Sequence, residues 1–257
     1  MVGTASAGTT PGRTSSRRQR RHEATAEEIR QVARELMARD GTSSLNLRAV
    51  AREMGMTPSA LYRYYASRDA ILTALIIEAY DQVGETVEQA IAAAPLDASS
   101  TRILAGVHAF RRWAVEHPHE FGLIYGTPVP GYEAPRTESL SAAMRTGAAM
   151  FGELVRAVDS GLLVPPDDDT VPAELHPSLR ELLLDPRAEL PISAVALAVQ
   201  FWMVLLGALS SEVFGHKPEP LAGGETGRLF FDYTIRQTLI AMGMARNAVE
   251  AGVSPPA

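Results

Sequence analysis

The chain has 257 residues, of which 46% are apolar and 21% charged, so it can build a substantial core in one or two domains and is not a wholly disordered polymer. It has no cysteine, which excludes disulfides and thiol catalysis and fits a reducing, cytoplasmic setting. The net charge of −6 is unevenly spread: residues 1–70 hold 12 arginines against 7 acids, and the remainder holds 12 cations against 23 acids. A basic leading segment on an acidic body has the electrostatics of a polyanion-binding head.

Residues 1–22 are Gly, Ser, Thr and Arg with scarcely an apolar side chain, and are expected to be a disordered basic arm without the hydrophobic run of a signal peptide. Arg17, Arg18, Arg20 and Arg21 suit phosphates or a minor groove, and equally a solubilising tail. An amphipathic helix follows over 25–40. Thr25 and Glu28 make a capping-box pattern, Ile29, Val32, Ala33, Leu36 and Met37 form the stripe, and Gly41 ends it.

Residues 46–65, NLRAVAREMGMTPSALYRYY, read as two short helices joined by a tight turn. Leu47, Val50, Ala51 and Met54 fall on one face, Asn46 is an N-cap, and Leu45 can staple onto Val50. Gly55 supplies a left-handed residue, then Thr57 caps a second helix with Pro58 at its first position. This is a helix-turn-helix pattern, whose second helix enters the DNA major groove by its N-terminus. Thr57 and Ser59 offer hydroxyls, first-turn N–H groups can meet a phosphate, and Leu61 points inward while Tyr62, Arg63 and Tyr64 face out.

Residues 25–75 resemble the DNA-binding domain of the TetR/AcrR family of transcriptional regulators. IRQVARELMARDG is similar to that family's first helix and turn, and LRAVAREMGMTPSALYRYYASRDAILTAL to its second, third and fourth helices. Tyr62 stands at the recognition-helix tyrosine, Tyr64 where histidine is commoner, and Arg68 at the lysine that usually opens the fourth helix. The resemblance implies an all-α protein: an N-terminal three-helix helix-turn-helix DNA-binding domain and a C-terminal helical ligand-binding and dimerisation domain. The expected boundaries are 1–22 for the arm, 23–70 for the DNA-binding domain, 71–246 for the regulatory domain and 247–257 for a disordered tail. The DNA-facing set is Asn46, Arg48, Thr57, Pro58, Ser59, Tyr62, Arg63, Tyr64 and Arg68. Of these, Thr57, Pro58, Ser59 and Tyr62 are assigned to the groove, and Asn46, Tyr64 and Arg68 to phosphates.

Ser67 caps the fourth helix, and its stripe of Ile71, Leu72, Leu75, Ile76, Ala79, Tyr80 and Val83 continues toward Ala94, so one helix serves both halves. Residues 100–117 form a helix with Ile103, Val107, Phe110, Trp113, Ala114 and His117 down one side. A short apolar helix and a Pro/Gly turn follow, and W…HPHEF…YGTPVPGY resembles a Trp/His/Gly C-terminal subtype of the family. Residues 136–160 predict a long helix with Leu140, Met144, Ala148, Phe151, Leu154 and Val155 inward. Residues 161–191 carry six prolines in a long connection, with a short helix near 174–184. Residues 192–214 are apolar nearly all round but interrupted by Gln200 and Gly207, and are read as an interface helix rather than a membrane span. A last helix is expected over 225–246. By the resemblance, the final two helices of each subunit pair into a four-helix homodimer interface.

No catalytic constellation and no cofactor motif appear. His117 and His119 are two apart with a proline between them and no cysteine nearby, so no metal site is read there. AGGETGR lacks the frame of a phosphate-binding loop, and Asp167–Asp169 reads as a solvated acidic loop. Two classes remain: a ligand-responsive repressor acting on a double-stranded, pseudo-palindromic operator in a bacterial cytoplasm, or an all-helical enzyme or scaffold with an incidental helix pair. The first is preferred. Its small, largely apolar effector would meet residues drawn from Phe110, Trp113, His117, Phe121, Tyr125, Met144, Phe151 and Trp202.

Overall fold

The structure, a computed structural model, describes residues 13–41, 45–96, 99–183 and 190–252. The described residues are α-helical with short 3-10 turns, and only an isolated bridge, Leu163 to Met244, is β-like. The chain divides into two units, Met1–Leu75 with Val129–Tyr132, and Ile76–Pro128 with Glu133–Ala257.

The first unit contains α1 (Arg13–Asp40), α2 (Leu47–Glu53), α3 (Pro58–Leu61) and the start of α4 (Arg68–Ala93). Its core is Ile29, Ala33, Leu36 and Met37 of α1 against Leu45, Leu47, Val50, Ala51, Leu61, Ile71, Leu72 and Leu75. Gly41 and Gly55 take positive φ, +82° and +63°, where an L side chain would be strained. Residues 129–132 join this unit through buried Val129 and a 2.9 Å hydrogen bond between the Tyr132 and Thr73 hydroxyls.

Two expectations fail at α1. Residues 13–22 are helical, and Thr25 is an interior residue, so the Thr25/Glu28 pair caps nothing. Arginine and glutamine are strong helix formers, and the polar run extends a helix already anchored by its apolar stripe. Residues 1–12 lie outside the described residues.

The second unit contains the rest of α4, then α5 (Ser99–Glu116), α6 (Pro118–Tyr125), α7 (Arg136–Asp159), α8 (His176–Arg180), α9 (Ile192–Val213), α10 (Gly224–Ala241) and α11 (Arg246–Ala251). α5 is the central element, burying Ile103, Leu104, Val107, Phe110, Trp113 and Ala114 against α7 and α9. Several of its polar residues are buried or half-buried as well. Arg102 grips Glu153 of α7 through Nε at 2.7 Å and Nη2 at 2.9 Å. Arg111 is paired with Glu212 of α9, which also accepts from Lys217 at 3.0 Å. His108 meets Asp232 of α10 at 2.8 Å.

The inward face of α7 differs from the expected one and includes Glu153. Leu140 and Met144 are 57% and 43% exposed rather than inward, while Ala142, Thr146, Met150, Glu153, Leu154 and Ala157 make the buried line. At the end of α10, Gly243 has φ +100°, and a Cβ there would lie 2.4 Å from the Val164 carbonyl oxygen. The resulting close approach lets Ala245 N donate to Leu162 O at 3.1 Å. α11 occupies residues expected to form a tail, with Val249 fully buried; residues 253–257 lie outside the described residues.

α9 is long and apolar enough to cross a membrane by length and composition, contrary to the weight given above to Gln200 and Gly207. Its packing gives it another place: Val195, Ala198, Phe201, Leu205 and Leu209 are buried in the core shared with α5 and α10. The expected short helix in the 161–191 connection is α8, preceded by 3-10 turns at Asp168–Thr170 and Ala173–Leu175.

Removing one partner of a buried bidentate pair strands the other charge, at about 3–5 kcal/mol. Glu153→Ala should therefore lower the thermal midpoint followed by circular dichroism, and the double change Arg102→Met with Glu153→Leu should restore most of it. An unchanged midpoint in Glu153→Ala would remove the role given to this pair.

Candidate functional site

In the first unit the chain presents α3 on a scaffold of caps. Asn46 Oδ1 accepts from Ala49 N at 2.8 Å and Thr57 Oγ1 from Ala60 N at 3.3 Å, so the two helices start where the sequence places them. Met56 N donates to Ala51 O at 2.8 Å and closes the turn between them. Leu61 is fully buried, which turns the opposite side of α3 to solvent. Thr57, Pro58, Ser59 and Arg63 are exposed there, with Tyr62 at 54%. Asn46 and Arg48 are exposed on α2. These seven residues share one unit and can meet a polyanion with hydroxyls, guanidinium groups and a phenol.

Two of the predicted residues are engaged within the protein. Arg68 is half-buried and donates Nε to the Leu45 carbonyl at 2.9 Å, tying the start of α4 to the residue that precedes α2. Tyr64 is half-buried with its ring stacked on His22, centroids 4.5 Å apart. Next to it, Arg30 donates to the Tyr65 hydroxyl at 2.9 Å. His22 lay in the stretch read as an arm, and no local sequence signal links it to Tyr64, 42 positions on.

In the second unit, four of the eight residues proposed for a ligand come together. Phe110, Phe121, Tyr125 and Trp202 form one aromatic cluster, with Phe110 centroids 5.6 Å from Tyr125 and 6.0 Å from Trp202. Tyr80 joins it at 5.8 Å from Tyr125. Trp113 packs on His117 at 5.5 Å. Met144 faces solvent, and Phe151 lines a separate narrow apolar cavity with Leu154, Val158 and Leu197, so neither belongs with the cluster. Burial pushes the Tyr125 phenol well up, a neighbouring Tyr80 adds to the rise, and Thr146 opposes it slightly. Thr146 is thus close to Tyr125, yet neither hydroxyl makes a hydrogen bond of ordinary geometry with the protein. Thr146 carries no signal in the sequence, since a threonine inside a helix reads as a surface residue.

α9 and α10 also leave apolar surface uncovered: Met203 at 66%, Tyr233 at 59%, and Val204, Phe214, Leu229 and Phe230 less so. Phe230, Phe231, Val204 and Pro218 line a groove of about 280 Å³ between these helices. At its edge, burial alone would raise the Glu212 carboxyl, but hydrogen bonds from Arg111 and Lys217 outweigh it and hold it below the usual carboxylate range. Among the described residues no cluster of His, Asp and Glu is arranged to hold a metal ion.

Comparison with known proteins places this architecture. Residues 29–75 match the family profile described as "Bacterial regulatory proteins, tetR family", and residues 103–237 match "Tetracyclin repressor-like, C-terminal domain". The HTH-type transcriptional regulator Rv1816 of Mycobacterium tuberculosis is 34% identical over 187 residues, 73% of this chain and 80% of that protein. Mb1846 of Mycobacterium bovis, also an HTH-type transcriptional regulator, matches equally. The crystal structure of the putative regulatory protein SCO4313 superposes with a TM-score of 0.66 at 31% identity, covering 90% of this chain and 99% of that one. RolR, solved in complex with resorcinol, has the same fold at 15% identity and a TM-score of 0.51, covering 92% and 97%. The fold and the exposed α3 define a helix-turn-helix transcriptional regulator. The chain belongs to the TetR family, and the tetracyclin repressor-like C-terminal match spans residues 113–132, on which the resemblance of the C-terminal half rests.

α3 has only four residues, so its start depends on the Thr57 hydroxyl. Thr57→Ala should cost about 1 kcal/mol of stability and Thr57→Ser almost nothing, read from the urea midpoint at constant slope. Equal midpoints for the two variants would show that the cap is not holding α3.

Proposed function

We propose that the protein is a ligand-responsive repressor that acts in the bacterial cytoplasm as a homodimer and does no chemistry of its own. The observation that carries this reading is the exposed row Thr57, Pro58, Ser59, Tyr62 and Arg63, held out by buried Leu61 in a chain that belongs to the TetR family. Two such rows in a dimer read half-sites about 34 Å apart on a pseudo-palindrome. Thr57, Pro58, Ser59 and Tyr62 take base edges. Asn46, Arg48 and Tyr64 take phosphates, and Arg68 contributes through the α2–α4 tie as well as by its charge. The uncovered apolar side chains of α9 and α10 support dimerisation through those two helices, because a patch of that character is costly to leave in water.

The effector site in this reading is the cluster of Phe110, Phe121, Tyr125 and Trp202, with Tyr80 at its edge and the Trp113–His117 pair nearby. Its lining is aromatic, and the adjacent hydroxyls of Tyr125 and Thr146, neither in a hydrogen bond of ordinary geometry, are its polar anchors. An effector that suits it is small, largely apolar and neutral, with one hydrogen-bonding group. RolR, which shares the fold and was solved with resorcinol, a small neutral aromatic, supports an effector of this general class.

Selection of bound fragments from random DNA should enrich one pseudo-palindromic sequence, and Tyr62→Ala should weaken its binding by about 1–3 kcal/mol while changing the preferred sequence. A selection that enriches nothing would sink the assignment. For the effector, compounds that raise the thermal midpoint should release the selected duplex, and Tyr125→Phe should blunt both effects. Compounds that stabilise the protein without releasing DNA would leave a binding site and remove the regulation.

A further inference from the structure

On a helix that advances 100° per residue, positions 18, 21, 22 and 25 share a face, position 20 points away from it and position 17 lies at its margin. The helical start of α1 realises that geometry beside the reading element. Arg18, Gln19, Arg21, His22 and Thr25 of α1, with Arg63 and Tyr64 after α3, line an open concavity of about 1140 Å³. The His22–Tyr64 stack, 15° from parallel, and the Arg30–Tyr65 hydrogen bond hold this part of α1 against the turn that follows α3.

No carboxylate lines the concavity, and among the described residues Arg18, Arg21 and Arg63 take part in no ion pair. Three guanidinium groups facing one opening repel each other, and a bound polyanion relieves that repulsion. Their planar forks match phosphate oxygens. The opening is also wider and more polar than an enclosed small-molecule pocket, which typically holds about 300–1,000 Å³ between apolar walls. An extended chain of phosphates fits it better than any single small anion.

We propose that this concavity is a second phosphate-binding surface, in which Arg18 and Arg21 join Arg63 in holding the backbone of the duplex that α3 reads, outside the base pairs that α3 contacts. The inference rests on the DNA-reading assignment made above and extends the footprint beyond the helix-turn-helix. These contacts carry charge and position without base information, so they raise affinity for every sequence alike.

The test uses the full-length protein and the duplex enriched from random DNA, with binding followed by fluorescence anisotropy from 50 to 200 mM salt. Arg18→Ala with Arg21→Ala is compared with Arg17→Ala with Arg20→Ala, which removes the same charge from side chains that do not line the concavity. All four side chains are exposed, and the thermal midpoint of each variant is measured beside its binding so that a loss of fold is told apart from a loss of contact. The first pair should flatten the slope of log affinity against log salt by about 1.8 for each subunit bound, so that its affinity deficit per subunit is on the order of tenfold larger at 50 mM than at 200 mM salt, on selected and scrambled duplexes alike. The second pair should leave the slope close to wild type. Equal flattening by both pairs would reduce the effect to diffuse charge and overturn the surface, and so would no flattening by the first. A wild-type protein that enriches no sequence overturns the DNA-reading assignment itself, and the surface with it.

Discussion

The first unit is organised around a helix too short to exist alone. Four residues cannot offset the cost of helix nucleation, so α3 is helical only because its surroundings fix it. Thr57 caps its start, Pro58 presets the backbone, and Tyr65 N donates to Leu61 O at 3.1 Å to carry the turn onward. Leu61 is the anchor: its burial in the core of α1, α2 and α4 decides which side of α3 meets solvent. Arg68 bound to Leu45 O, and Arg30 bound to the Tyr65 hydroxyl, then brace the segments on either side. A rigid reading surface follows from these external restraints, which leaves the exposed residues of α3 free to be chosen for recognition.

The second unit solves a different problem, with charge inside. α5 sits between α7, α9 and α10, yet carries Arg102, His108 and Arg111. Each is matched to an acid on a different helix: Glu153, Asp232 and Glu212. Against well-packed apolar residues such pairs add little stability, but a shift in helix register would strand the charges of the Arg102–Glu153 and Arg111–Glu212 pairs at once. They therefore select one register among the many that an aromatic and aliphatic core would tolerate. Burial lowers the His108 pKa, and the Asp232 contact only partly opposes it. His108 is thus favoured neutral in the fold, and its contribution to stability is present above the pKa of the unfolded state and fades as pH falls below it.

Much of this was legible in the sequence because it is local. Asn46, Thr57 and Ser67 cap where their side chains can reach the third N–H onward, and Gly41 and Gly55 turn where only glycine adopts the backbone without strain. Long-range pairings were not legible. Glu153 reads as a solvent-facing residue until Arg102 is known to lie opposite, and the inward face of α7 includes it and leaves out Leu140 and Met144. The start of α1 was misread for a related reason. A stretch without apolar residues shows no helical periodicity, although its arginines favour a helix once another segment has nucleated it. At the candidate effector site, aromatic bulk picked out Phe110, Phe121, Tyr125 and Trp202, but it could not separate them from Phe151, which serves another part of the same core.

The proposed regulation then turns on a difference in free energy that the aromatic cluster can supply. A buried hydroxyl without a partner costs about 1–3 kcal/mol, and Tyr125 and Thr146 place two poorly satisfied hydroxyls side by side among aromatic rings. A ligand that brings one donor or acceptor recovers part of that cost in addition to its apolar burial. Coupling between an effector and DNA typically amounts to about 1–3 kcal/mol, the same scale. Recovery of that size changes operator affinity only when it is larger in one conformation of the dimer than in the other, since a ligand bound equally to both shifts nothing. The hydroxyl pair is suited to that distinction because a hydrogen bond is lost over a few tenths of an ångström, whereas contact between aromatic faces degrades slowly. Removing the Tyr125 hydroxyl should therefore reduce the coupling more than it reduces the affinity for the effector.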